Sequence, residues 1–274
     1  MKYLKLVGWL ALYFVMYLLS TFVGGTVLAV AYVVSLILAG KSMPLDSFIA
    51  SNLFVLLLVS GVVTLVFGFV ILLIRGYKPF SYLKFRIMPV KHTALMILMG
   101  ASFAIFVNCL LTLVEVDRFL PDYVSDPLVD MMTSNLLLTF LTIGIIVPIY
   151  EEFLVRGLMY RELEGTLRQW PALLLQGLIF GAMHGNVLQF SYAFPMGIFL
   201  GYVYTKFGSI WAPILIHLVW NSTSLLMGAI MPESSSFEAF LLLMTVSGIL
   251  FAGGVIYSIL SPSSCAEAPP EQLA

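Results

Sequence analysis

Uncharged apolar runs follow one another along nearly the whole chain, and this repetition constrains the fold more than any other feature. The first runs from Leu6 to Ala39. A membrane-crossing helix needs about 20 such residues. By that measure the coarse spans are 6–38, 50–74, 93–115, 134–150, 171–187, 189–206, 210–230 and 238–260. Soluble domains carry about 25% charged residues. Here only 10% of 274 residues are charged and 61% are hydrophobic, more than an interior of this size can enclose, so lipid must cover much of the surface. In lipid each segment must satisfy its own backbone hydrogen bonds, which a helix does. The expected fold is all-α, a polytopic transmembrane helical bundle of about eight spans.

Charge placement supplies the topology, because cytoplasmic loops collect Lys and Arg. The loop 75–92 holds Arg75, Lys78, Lys84, Arg86 and Lys91 and no acid, which marks it as cytoplasmic, and His92 reads as a solvated member of it. The next loop holds Glu115, Asp117, Asp122, Asp126 and Asp130 against Arg118, as expected outside. Alternation then puts Arg156, Arg161, Arg168 and Lys206 inside and Glu233 and Glu238 outside, with Lys41 and Arg118 as exceptions. Eight spans with both termini cytoplasmic satisfy this pattern, in the plasma membrane of a prokaryote or the endoplasmic reticulum of a eukaryote. The run after Lys2 and Lys5 is too long for a cleaved signal and reads as the first transmembrane helix.

A net charge of -1 argues against nucleic acid as a partner, since phosphate binding needs a clustered basic face. Cys109 falls in a span and Cys265 in the tail, so neither a disulfide framework nor a thiolate zinc site is expected. The tail 261–274, rich in Ser, Pro, Ala and Glu, should be disordered. Gly197 and Gly201 should pack one helix against another, and Trp9, Trp170 and Trp211 should anchor at the interface. The stretch from Tyr160 to Trp170 reads as an amphipathic segment on the cytoplasmic surface.

Polar residues inside apolar runs carry the chemistry, because each costs several kcal/mol unless paired or functional. Glu151 and Glu152 end the fourth run. If the helix continues, Glu152 and Arg156 stand four apart on one face and form an ion pair. Glu151 then points about 100° away, without that partner, as a general base would. His184 follows Phe180 by four, next to the close-packing pair Gly177 and Gly181. His217 and Asn221 share a face of the seventh run. Glu151 is expected near the cytoplasmic end of its helix, His184 toward the far end of a short fifth span, and His217 at mid-span.

The blocks Glu-Glu-x-x-x-Arg (151–156), Phe-x-x-x-His (180–184) and His-x-x-x-Asn (217–221), in this order within apolar segments, resemble the CPBP family of intramembrane proteases. That family comprises the type II CAAX prenyl endopeptidases and the Abi or bacteriocin-processing enzymes, also described as metalloproteases. The resemblance covers about 130–225. It implies N-terminal transmembrane helices over 1–130, a catalytic core of CPBP/Abi type over 131–230 with an active-site cavity between helices, and a last helix over 231–260.

The resemblance further implies that Glu151 and His184 activate water and that His217 and Asn221 stabilise the oxyanion. Glu152, Arg156 and Phe180 would support them. Glu151, His184 and His217 have zinc-ligand chemistry, so a divalent metal such as zinc and a metal-free mechanism both stay open at this point. The expected partners are membrane lipid and a peptide or membrane-protein substrate, prenylated if the source is eukaryotic. Two rival readings stand beside the peptidase: a proton-coupled membrane transporter, and a catalytically inactive immunity or scaffold member of the same fold.

Overall fold

The computed structural model describes residues 1–39, 44–119, 135–231 and 236–262. Among them every regular element is helical. The chain runs through α1 (Lys2–Ala39), α2 (Leu45–Ile74), α3 (Pro79–Tyr82), α4 (Val90–Leu113) and α5 (Val116–Phe119). A continuous helical stretch, α6 (Leu136–Glu164), is followed by α7 (Gln169–Met183), α8 (Val187–Phe207), α9 (Trp211–Ile230) and α10 (Phe237–Leu260). The expected disordered tail beyond Pro262, Lys41, Glu233 and the acids Asp122, Asp126 and Asp130 lie outside the described residues.

Seven helices among the described residues are long and apolar enough to cross a membrane: α1, α2, α4, α6, α8, α9 and α10. Large apolar side chains such as Phe22 and Ile249 stand exposed on the outermost of them, on surfaces suited only to lipid. The chain is thus an integral membrane protein. The expected fifth span becomes α7, which at 15 residues rises only about 22 Å, against roughly 30 Å of hydrocarbon core. His184 closes α7, Gly185 adopts a left-handed φ of 65°, and Asn186 caps α8 by accepting from the amides of Leu188 and Gln189. The chain therefore turns within three residues and sends α8 back along α7. Close contact between the two depends on glycine: a Cβ on Gly197 would lie 2.9 Å from Gly177 Cα, and one on Gly201 2.7 Å from Gln176 Nε2.

Among the described residues Arg75, Lys84, Arg86 and Lys206 gather at one end of the bundle. Arg75 at the close of α2 pairs with Glu162, which also accepts from the Tyr13 and Tyr82 hydroxyls, and the Arg75 guanidinium lies over the Trp9 ring. Lys84 pairs with Glu164 at 3.5 Å, Ser209 donates to the Arg86 carbonyl, and Lys206 donates to the Ile259 carbonyl. These links hold the ends of α2, α6, α8 and α10 together.

Three expectations are corrected by this architecture. Helix α6 does not stop at Tyr150 but continues to Glu164, so Glu151 lies about three turns inside it rather than at its cytoplasmic end. Tyr160 and Leu163 are fully buried, so residues 160–164 complete a membrane helix instead of lying on the surface; beyond them the chain turns into α7, whose Trp170 is exposed. His92 is buried in the first turn of α4 with its ring edge-on to Phe207, because α4 starts at Val90 and turns that face inward.

Candidate active site

The site forms where α6, α7 and α9 meet, and an irregularity in α6 creates its geometry. Two π-helical segments, Phe140–Ile146 and Phe153–Met159, flank a short α-helical turn, Val147–Glu152. In the first segment the Val147 amide donates to the Thr142 carbonyl, an i to i−5 bond. The next such bond would need an amide at Pro148, which has none. The Ile143 carbonyl is thus orphaned, and Asn221 supplies the donor: its Nδ2 lies 2.9 Å away. Gly144, one residue on, receives the Ser222 hydroxyl at 3.5 Å. A proline and an asparagine 73 positions apart therefore form one local structure and fix α9 against α6.

The second π segment starts directly after the two glutamates. Glu152 and Arg156 are both fully enclosed and paired at 2.7 Å, as the spacing predicts. Glu152 Oε1 also accepts from His217 Nδ1 at 2.8 Å. Since a carboxylate only accepts, Nδ1 carries a proton and the ring is locked with Nε2 outward. Nε2 lies 3.8 Å from Glu151 Oε2. Arg156 donates onward to the Gly197 carbonyl at 3.0 Å, a carbonyl shared with Gln176 at 2.6 Å. The guanidinium stacks over Phe180 at 4.4 Å, and that ring is edge-on to both His184 and His217. Phe180 is thus a common wall for the cation and the two imidazoles.

His184 points its Nδ1 at the Phe180 carbonyl, 2.9 Å away. A carbonyl cannot donate, so Nδ1 holds the proton and Nε2 presents a lone pair. At the C-terminal end of α7 it is half-buried.

Glu151, His184, His217 and Asn221 all line one cavity of about 640 Å³, with Phe180 among its walls. Glu152 and Arg156 lie behind it, buried. The sequence expectation that Glu151 diverges from the ion pair is met: it faces the cavity while its neighbour faces inward. The metal option fares differently. Among the described residues no three His, Cys, Asp or Glu side chains stand close enough to share an ion, so Glu151, His184 and His217 as arranged do not form a three-ligand zinc site.

Sequence reasoning missed several participants. Gln176, a lone amide in an apolar run, was visible as a signal. Asn108 and Ser224, which also line the cavity, were hidden because each is a single mildly polar residue in a long apolar helix.

Residues 133–223 match the family model described as Type II CAAX prenyl endopeptidase Rce1-like. The chain carries an Rce1-like segment. It covers about a third of the chain and contains every residue of the three blocks, from Glu151 to Asn221. Among curated proteins, an "Uncharacterized 24.3 kDa protein" of Escherichia coli is 27% identical over 136 residues, 48% of this chain and 57% of that protein. The "Putative membrane peptidase YdiL" of Bacillus subtilis (strain 168) is 29% identical over 84 residues, 31% of this chain and 34% of that protein. The chain thus spans less than two thirds of the length of either relative. No solved structure matches it. The Rce1-like segment spans most of α6 to α9, which supply most of the cavity lining, including every residue of the three blocks that faces it, while α1, α2 and α4 complete the walls with residues such as Tyr17, Leu57 and Asn108.

Proposed function

We propose that the protein is an intramembrane endopeptidase that hydrolyses a peptide bond with a water activated by Glu151 and His184. The carrying observation is the relay Arg156–Glu152–His217, whose ion pair is fully enclosed behind a cavity that His217 lines and that Glu151, the neighbour of Glu152 in the chain, also faces. A buried ion pair is weak evidence of stability, since apolar residues of similar volume serve as well. Holding one in a membrane span therefore points to chemistry.

In this reading the His184 Nε2 lone pair orients the water and Glu151 accepts its proton as the oxygen attacks the carbonyl carbon. The negative charge grows on the carbonyl oxygen. With both ring protons in place, His217 Nε2–H faces that oxygen while Glu152 holds Nδ1–H. Asn221 commits one amide proton to Ile143 and offers the other. Such donors are worth about 10² to 10³ in rate each. The tetrahedral intermediate collapses as Glu151 returns its proton to the departing amine nitrogen and the C–N bond breaks. No metal enters these steps. Substrates of the CAAX class, prenylated or not, belong to this proposal, as does a cytoplasmic location for the basic end and both termini.

Replacing Glu151 with Gln in protein reconstituted into lipid should abolish cleavage while leaving helical content and melting temperature unchanged. Prior treatment of the wild type with a strong zinc chelator should leave cleavage intact. Undiminished proteolysis by the Glu151→Gln variant would end the assignment, and chelator-sensitive activity would end the metal-free mechanism.

A further inference from the structure

The cavity extends past the proposed reacting groups along one stripe of α9. His217, Asn221, Ser224 and Gly228 follow at helical spacing and all line it. Facing Ser224 across the cavity wall is Asn108 of α4. Its Nδ2 donates both to Ser224 Oγ at 2.9 Å and to the Ala104 carbonyl at 2.8 Å. Both amide protons are then committed, and Oδ1 is left as an acceptor. Ser224 accepts from Asn108, so its hydroxyl proton is left as a donor.

That second point separates Ser224 from its counterparts. Ser20, Ser51, Ser102 and Thr245 each give their proton to the carbonyl four residues back, the usual solution in an apolar helix. Among the described residues Ser224 makes no such bond. The pair thus presents one acceptor and one donor side by side to the cavity, the complement of the N–H and C=O of a peptide unit.

We propose that Asn108 and Ser224 form a backbone-binding subsite that positions an extended peptide along α9. Ser224 lies seven residues beyond His217, about 10 Å of helical rise. An extended chain advances about 3.3 Å per residue, so the bound peptide unit lies about three residues from the scissile bond. The surrounding walls, among them Tyr192, Trp220 and Met196, suit a substrate segment with apolar side chains. The inference rests on the peptidase reading and deepens it.

The test uses full-length protein in lipid nanodiscs and a library of apolar decapeptides, with products read by mass spectrometry. Ser224→Ala and Asn108→Leu should raise KM about tenfold with kcat unchanged, and Ser224→Thr, which keeps the hydroxyl, should restore wild-type KM. N-methylation of the peptide amide three residues from the cleaved bond should weaken the wild type by a similar factor and leave Asn108→Leu unaffected. A merely structural pair would show no such coupling to the methylated amide. Equal KM in wild type and Ser224→Ala, or a drop confined to kcat, overturns the subsite while the peptidase stands. Absence of products from the wild type at any concentration removes the peptidase reading and the subsite together.

Discussion

Arg156 and Glu152 have no contact with solvent, and Glu152 Oε2 and Arg156 Nε have no hydrogen-bond partner among the described residues. Removing one member strands a buried charge, which costs about 3–5 kcal/mol, whereas removing both restores neutrality. Arg156→Met alone should therefore lower the melting temperature in detergent sharply. The double variant Arg156→Met with Glu152→Gln should recover most of the loss. Activity should not return, because a glutamine at position 152 no longer places a carboxylate behind His217 Nδ1. Recovery of cleavage along with stability would show that the pair serves packing alone.

At the level of the element, α6 departs from regular helix on either side of Val147–Glu152, and the first departure traces to one residue. Pro148 withdraws the donor that the Ile143 carbonyl needs, and Asn221 takes its place. Pro148→Ala returns that donor. The Ile143 carbonyl should then be satisfied within α6, releasing Asn221, so cleavage should fall by up to about 10² to 10³, the value of the proposed oxyanion donor. Stability should hold or rise, since proline is the poorest residue in a helix interior. Parallel measurement of turnover and thermal unfolding checks this, and a loss of stability without a loss of turnover would contradict it. The block motif was legible along the sequence because each polar residue stands out in an apolar run. The π segments were not, because apolar periodicity says nothing about which carbonyl lacks a donor.

Across the whole molecule, the cavity and the basic end are separated by packed side chains. Leu154, Leu158, Tyr160, Leu83 and Ile210 are all fully buried between them, whereas Val116 and Gly228 line the cavity where α4 and α9 end on the opposite side. On the proposed reading, water would therefore reach Glu151 from the end away from Arg75, Lys84 and Lys206. In a background lacking Cys109 and Cys265, a membrane-impermeant maleimide should label Gly228→Cys and Ile87→Cys from opposite faces of sealed vesicles. Position 228 tolerates the change, with nothing within 4 Å of an added Cβ, and Ile87 is 95% exposed. Labelling of both from one face would refute this access route.

Hydropathy is local, so the chain by itself determined that it is helical, that it lies in a membrane, and which few polar residues its apolar runs retain. The i, i+4 geometry of Glu152 and Arg156 also followed from the sequence, since it needs only a continuous helix. Tertiary structure alone decided that α6 passes beyond Glu151, that α7 stops short at His184, and that one Glu152 oxygen holds both Arg156 and His217. It also decided which end of the cavity is sealed. Each of these depends on how helices distant in sequence meet, and on which helix supplies the hydrogen bond that another has lost.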